Sequence, residues 1–84
     1  MRLLYVEDNP VDVELVRRTL QERLPGWDLQ VAVNLAQARA LLATGGPWDL
    51  LLIDLGLPDG HGLDLVRELR EAALPVALVA LTGQ

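Results

Sequence analysis

The run Leu50-Leu51-Leu52-Ile53 constrains this chain more than any other feature of it. Four consecutive branched apolar residues, entered from Asp49 and left through Asp54, have no face to give to water. They read as a strand buried on both sides, which is the environment of a central strand in a parallel sheet. Such a strand needs neighbouring strands and crossover helices, and the flanking sequence carries the pattern of both. Arg2 to Val6 is a second compact apolar run, and Pro75 to Leu81 a third. Trp27 to Val33 alternates, with Trp27, Leu29, Val31 and Val33 set against Asp28, Gln30 and Ala32, as in a half-buried strand.

Helical signals fill the gaps. Asn9-Pro10 supplies an N-cap and a proline for the first helical position, and Val13, Val16, Leu20 and Leu24 follow at helical spacing until Pro25-Gly26. Asn34 caps a helix over Leu35 to Ala43, which Gly45-Gly46-Pro47 stops. Leu63 to Ala73 is amphipathic, with Leu65, Val66 and Leu69 inward. Leu55 to Gly62, with three glycines and a proline, reads as a loop. The order β-α-β-α-β-α-β predicts a parallel sheet covered on both faces, joined by right-handed crossovers.

At 84 residues the chain is one domain, spanning 1–84, and 51% hydrophobic content argues against disorder. It has no cysteine, which removes disulfides and thiolate metal sites and fits a cytoplasmic location. The N-terminal apolar run is too short for a signal peptide or a membrane span, so no membrane association is expected. A net charge of −5 argues against direct contact with nucleic acid.

Glu7 and Asp8 directly follow the first strand, and Asp54 closes the third. A flavodoxin-like strand order, 2-1-3-4, makes those two strand ends neighbours at the crevice where the order reverses. Carboxylates about 4 Å apart repel by roughly 4 kcal/mol at an effective dielectric near 20. The cluster therefore calls for a compensating cation or raised pKa values, and all-oxygen ligation suits Mg²⁺. Taken singly, Glu7 and Asp8 read better as solvated acids favoured by the positive end of the following helix; taken with Asp54 in one crevice, the functional reading is favoured.

These residues resemble a known family. Glu7-Asp8 after the first strand, the stretch Leu52-Ile53-Asp54-Leu55-Gly56-Leu57-Pro58-Asp59-Gly60-His61-Gly62, and Leu81-Thr82-Gly83 after the fourth strand are similar to the receiver domain of response regulators in two-component signal transduction. The resemblance covers essentially the whole chain. It implies a three-layer α/β flavodoxin-like fold in which Asp54 accepts a phosphoryl group from a sensor histidine kinase or a phosphotransfer protein. It further implies that Glu7, Asp8, Asp54 and the backbone carbonyl of Gly56 hold Mg²⁺, that Thr82 is a switch hydroxyl bonding the phosphoryl group, and that Pro58 and Gly62 shape the loop. The expected role is that of a phosphoacceptor signalling domain in a phosphorelay, not of a turnover enzyme.

The family's usual fifth strand, with its lysine, and the flanking helices have no counterpart here; all seven basic residues are arginine. The expectation is a truncated domain whose uncharged fourth strand forms an open edge for self-association. The competing reading is a pseudo-receiver that docks partners without phosphorylation. A flavin or nucleotide enzyme is disfavoured, because Glu7-Asp8-Asn9-Pro10 stands where such proteins place a glycine-rich phosphate loop. His61 and the turn Asp59-Gly60 are expected to have only local roles, and Trp27 and Trp48 to pack at strand entries.

Overall fold

The computed structural model describes residues 1–74 and 76–81. The elements follow in the order β1 (Arg2–Val6), α1 (Pro10–Arg23), β2 (Asp28–Ala32), α2 (Leu35–Thr44), β3 (Leu50–Asp54), β4 (Gly56–Leu57), β5 (Gly60–His61), α3 (Gly62–Glu71) and β6 (Ala77–Leu81). Four strands form one parallel sheet in the order β2-β1-β3-β6. β4 and β5 are a separate two-residue antiparallel hairpin inside the expected loop. The strand expected as fourth is thus β6, and the expected 2-1-3-4 order is the observed one.

The helix starts follow from local chemistry. The Asn9 side chain accepts from the backbone N–H groups of Val11 and Asp12, and Pro10 opens α1. Asn34 accepts from Gln37 N–H at 2.8 Å to open α2. Each bond satisfies a donor that the first turn of a helix would otherwise leave unpaired.

The central strands are dry on the face toward α2 and α3, whereas Leu50 and Leu52, expected to be buried as well, are only half-buried on the other face. Leu4 and Val6 of β1 and Leu51 and Ile53 of β3 are fully buried and pack with Leu35 and Ala38 of α2 and Leu65 and Leu69 of α3. Burial of each large aliphatic side chain contributes about 1.5–3 kcal/mol. Because side chains alternate along a strand, Leu3, Tyr5 and Glu7 lie on the other face, toward α1. α1 has no fully buried residue. Trp48 is buried at the entry to β3, with the Arg2 guanidinium 4.2 Å above its ring, while Trp27 is half-buried before β2.

One alternation differs from the sequence reading. Ala32, grouped with the polar face of β2, is fully buried, and Val33 is 43% exposed. The strand stops at Ala32, which pairs with Val6 over the α2 core, so Val33 already belongs to the turn.

Candidate metal centre

β1 and β3 are hydrogen-bonded neighbours, with Tyr5 opposite Leu52 and Val6 opposite Ile53. Extending that register by one residue sets Glu7 beside Asp54, on the same face of the sheet. Glu7 still donates its N–H to Ala32 O at 2.9 Å, so its backbone is held by β2 even though the strand has formally ended. Asp8 follows at the turn into α1. The result is that one carboxylate oxygen from each of Glu7, Asp8 and Asp54 lies within 4.8 Å of the others. Glu7 and Asp54 are buried and Asp8 is exposed, at the mouth of a crevice of about 860 Å³ that Asn9, Asp12, Gly56 and His61 also line.

The surrounding hydrogen bonds orient these groups. Asp54 Oδ1 accepts from Gly56 N–H at 3.2 Å. Glu7 Oε2 accepts from Asn9 N–H at 3.3 Å, and Glu7 Oε1 from the Tyr5 hydroxyl at 3.3 Å. Among the described residues no ion pair reaches Glu7, Asp8 or Asp54. Three clustered oxygens without a paired cation fit a hard divalent ion by donor chemistry.

Burial pushes the Glu7 carboxyl up; the Asn9 N–H opposes this, while Asp54 and Asp8 add to it. Burial, with the Glu7 charge beside it, also pushes the Tyr5 phenol up to about 12, so the hydroxyl stays a donor at ordinary pH. A carboxyl whose folded pKa exceeds its unfolded value makes the folded state bind the extra proton. Stability therefore falls as pH rises from the unfolded value, near 4.5, through the folded one. Denaturation midpoints without divalent cation should show this fall, and Glu7→Gln should flatten it. Identical pH profiles for the two proteins would contradict the assignment. Asp59 has the opposite sign: its carboxyl is held low by the backbone N–H groups of Leu35 and Ala36, so its contribution is lost at acid pH.

The structure brings Glu7, Asp8, Asp54 and Gly56 together, whereas Thr82 lies outside the described residues. It corrects one expectation, for Asp59, and supplies the local role of His61. Asp59 is more than a turn residue: its Oδ1 and Oδ2 accept from Leu35 N–H at 2.8 Å and Ala36 N–H at 3.1 Å, tying the hairpin to the start of α2. His61 is the N-cap of α3, its Nδ1 accepting from Leu63 N–H at 3.2 Å. Tyr5 was overlooked, although its position two residues before Glu7 on one strand was the available signal.

The sequence matches the family described as the response regulator receiver domain over residues 3–84. Among curated relatives, it is 41% identical over 87 residues to the transcriptional regulatory protein AruR of Pseudomonas aeruginosa, covering 99% of this chain and 34% of that protein. It is 40% identical over 85 residues to the KDP operon transcriptional regulatory protein KdpE of Escherichia coli, covering 98% of this chain and 36% of that one. The chain thus spans about a third of the length of these relatives. Among solved structures, the MaeR response regulator bound to beryllium trifluoride superimposes with a TM-score of 0.85 at 30% identity, over 100% of this chain and 68% of that one. The response regulator TrrA of Thermotoga maritima, in complex with Mg²⁺ and BeF, has a TM-score of 0.85 at 30% identity, over 99% and 70% of the two chains.

Proposed function

The chain belongs to the response regulator receiver family, and on that footing we propose that Asp54 accepts a phosphoryl group from a phosphohistidine of a sensor histidine kinase or phosphotransfer protein, in a Mg²⁺-dependent phosphorelay. The observation that carries this reading is the meeting of Glu7, Asp8 and Asp54 within 4.8 Å at the carboxyl ends of adjacent central strands. Glu7, Asp8, Asp54 and the Gly56 carbonyl are the groups that would hold the ion. When bound, Mg²⁺ would supply charge neutralisation to a crevice in which the Asp54 carboxylate becomes an acyl phosphate carrying about two negative charges, a net gain of about one.

The chain's own residues do the rest. Asp54 is anchored through Oδ1 on the Gly56 N–H, which leaves Oδ2 as the freer oxygen for attack. That oxygen bonds to phosphorus as the phosphorus–nitrogen bond of the donor breaks; the bond pair stays on the ring nitrogen, the imidazole, already protonated at its other nitrogen, leaves neutral, and an acyl phosphate remains on Asp54. A loose transition state of this kind needs positioning more than covalent help. Burial of Asp54 beside an open crevice favours a donor that reaches in from the strand ends. Thr82, next in sequence after Leu81, is the proposed switch hydroxyl that bonds the new phosphoryl oxygens.

The test is direct. Incubation with Mg²⁺ and a small phosphodonor such as acetyl phosphate should add one phosphoryl group by intact mass, mapped to Asp54. No gain in mass, together with spectra unchanged by beryllofluoride and Mg²⁺, would overturn the proposal.

Self-association is the second part of the reading. Among the described residues β6 pairs only with β3, and its segment Ala77–Leu81 carries no charge, so its other edge presents free backbone groups. Sedimentation of the 84-residue chain should show dimers or larger species at high concentration, and a monomer throughout would count against it.

A further inference from the structure

A fully buried β-strand position is served by an aliphatic side chain, yet the middle of β1 holds Tyr5, only 2% exposed. A buried phenol must find a hydrogen-bond partner or lose its hydration without return. Its partner is Glu7 Oε1, at 3.3 Å, two residues on along the same face. Glu7 Oε2 is met from the other side by the Asn9 N–H, also at 3.3 Å. The Glu7 carboxylate is therefore aimed by two donors that belong to opposite ends of the strand-to-helix turn. Both contacts are longer than the usual range, about 2.5–3.0 Å for the O–H···O bond from Tyr5 and about 2.7–3.2 Å for the N–H···O bond from Asn9, so they orient Glu7 without consuming its capacity to accept.

We propose that Tyr5 is a positioning residue for the divalent-cation site, its hydroxyl setting the direction of the Glu7 carboxylate toward Asp8 and Asp54. This rests on the reading of the three carboxylates as a Mg²⁺ site. The Tyr5 hydroxyl donates to Glu7 and not to Asp54. Its effect passes through Glu7, whose side chain has several rotatable bonds and would otherwise swing away from the repelling charge of Asp54. Leu52 stands opposite Tyr5 on β3, and the phenol itself is buried.

Tyr5 is the only tyrosine in the chain, which makes it an intrinsic reporter. Three measurements test the proposal: Mg²⁺ titration by calorimetry, the tyrosine near-ultraviolet difference spectrum on adding Mg²⁺, and a double-mutant cycle with Glu7→Gln. Tyr5→Phe removes one oxygen and keeps the ring, and its fold is checked by thermal melting without metal. The expected result is a Mg²⁺ affinity weakened about three- to tenfold, the range of one hydrogen bond's net contribution. Mg²⁺ should also shift the tyrosine spectrum of the parent chain, and this shift should shrink in Glu7→Gln. In the Glu7→Gln background Tyr5→Phe should cost no further affinity, because the two residues act as one unit.

If the parent binds Mg²⁺ and Tyr5→Phe binds it equally well, the positioning role is wrong and the cation site stands. Additive losses in the cycle would likewise overturn a route through Glu7. If the parent binds no Mg²⁺, the reading of the site itself falls, and the role of Tyr5 with it. Should Tyr5→Phe fail to fold, the spectral comparison between the parent and Glu7→Gln decides: an undiminished tyrosine shift in Glu7→Gln overturns the proposal.

Discussion

A chain carrying Asp54→Asn is expected to take up no phosphoryl group from a small phosphodonor and to show no spectral response to beryllofluoride with Mg²⁺. The amide keeps the size of the side chain and can still accept from the Gly56 N–H through its remaining oxygen. It loses the second anionic oxygen, so the nucleophile disappears while the fold has no reason to change. The loss should be complete, because a neutral amide nitrogen can neither attack phosphorus nor ligate the ion as a carboxylate does. The metal-free variant should also melt higher, since one of the like charges facing Glu7 is gone. Labelling that persists in this variant would move the acceptor elsewhere, with the exposed Asp8 as the first candidate. Loss of labelling accompanied by a collapsed fold would leave the role of Asp54 to be read from Asp54→Glu, which retains the charge at a shifted position and should label poorly.

Gly62→Ala is expected to be the most damaging single-methyl change near the site. A β-carbon at Gly62 would lie 2.5 Å from Asp54 O, 2.8 Å from Ile53 Cγ2 and 3.0 Å from Leu55 Cα. Two of those three atoms are backbone, and they belong to the segment that presents the acceptor. Gly62 also donates its N–H to Leu55 O at 2.9 Å, so α3 begins pressed against the end of β3. Overpacking costs about 1–3 kcal/mol where side chains can yield, and the upper end applies where backbone must move. An 84-residue domain has about 4–13 kcal/mol of total stability, so the loss is large. Chemical denaturation should show a lowered midpoint, and phosphoryl uptake should fall as the Asp54 backbone shifts. Gly56→Ala is the internal control: its β-carbon would meet nothing within 4 Å, and its carbonyl is unchanged, so stability should stay within about 0.5 kcal/mol. Equal effects at the two glycines would show that space is not the reason for Gly62.

Much of the architecture follows from short-range pattern. The apolar run of β3 has to lie between two strands, and the observed neighbours are β1 and β6. Asn9-Pro10 and Asn34 act as the caps they read as, because capping needs only a side-chain oxygen and a turn's worth of chain. The inward stripe of α3, Leu65, Val66 and Leu69, packs as its spacing requires. Helix ends differ from the sequence reading by one or two residues, where local signals compete. The hairpin β4–β5 and the burial of Ala32 escaped the pattern, since two-residue strands carry no periodicity and strand ends obey the contacts they meet.

What the linear order of residues determined by itself was the alternation of dry strands and amphipathic helices, the caps, and the placing of acids at strand ends. Those are properties of a few neighbouring residues and of where apolar side chains can hide from water. Which strand ends meet was decided only by the packed sheet, because Glu7 and Asp54 become neighbours through the β1–β3 pairing alone. The same holds for Asp59, whose carboxylate caps a helix that starts 24 residues earlier in the chain. The bond from Tyr5 to Glu7 lay within reach of sequence alternation, yet its meaning depended on Asp54 arriving on the same face. Charge and hydrogen bonding act through space at a few ångströms, and only the closed fold sets those distances.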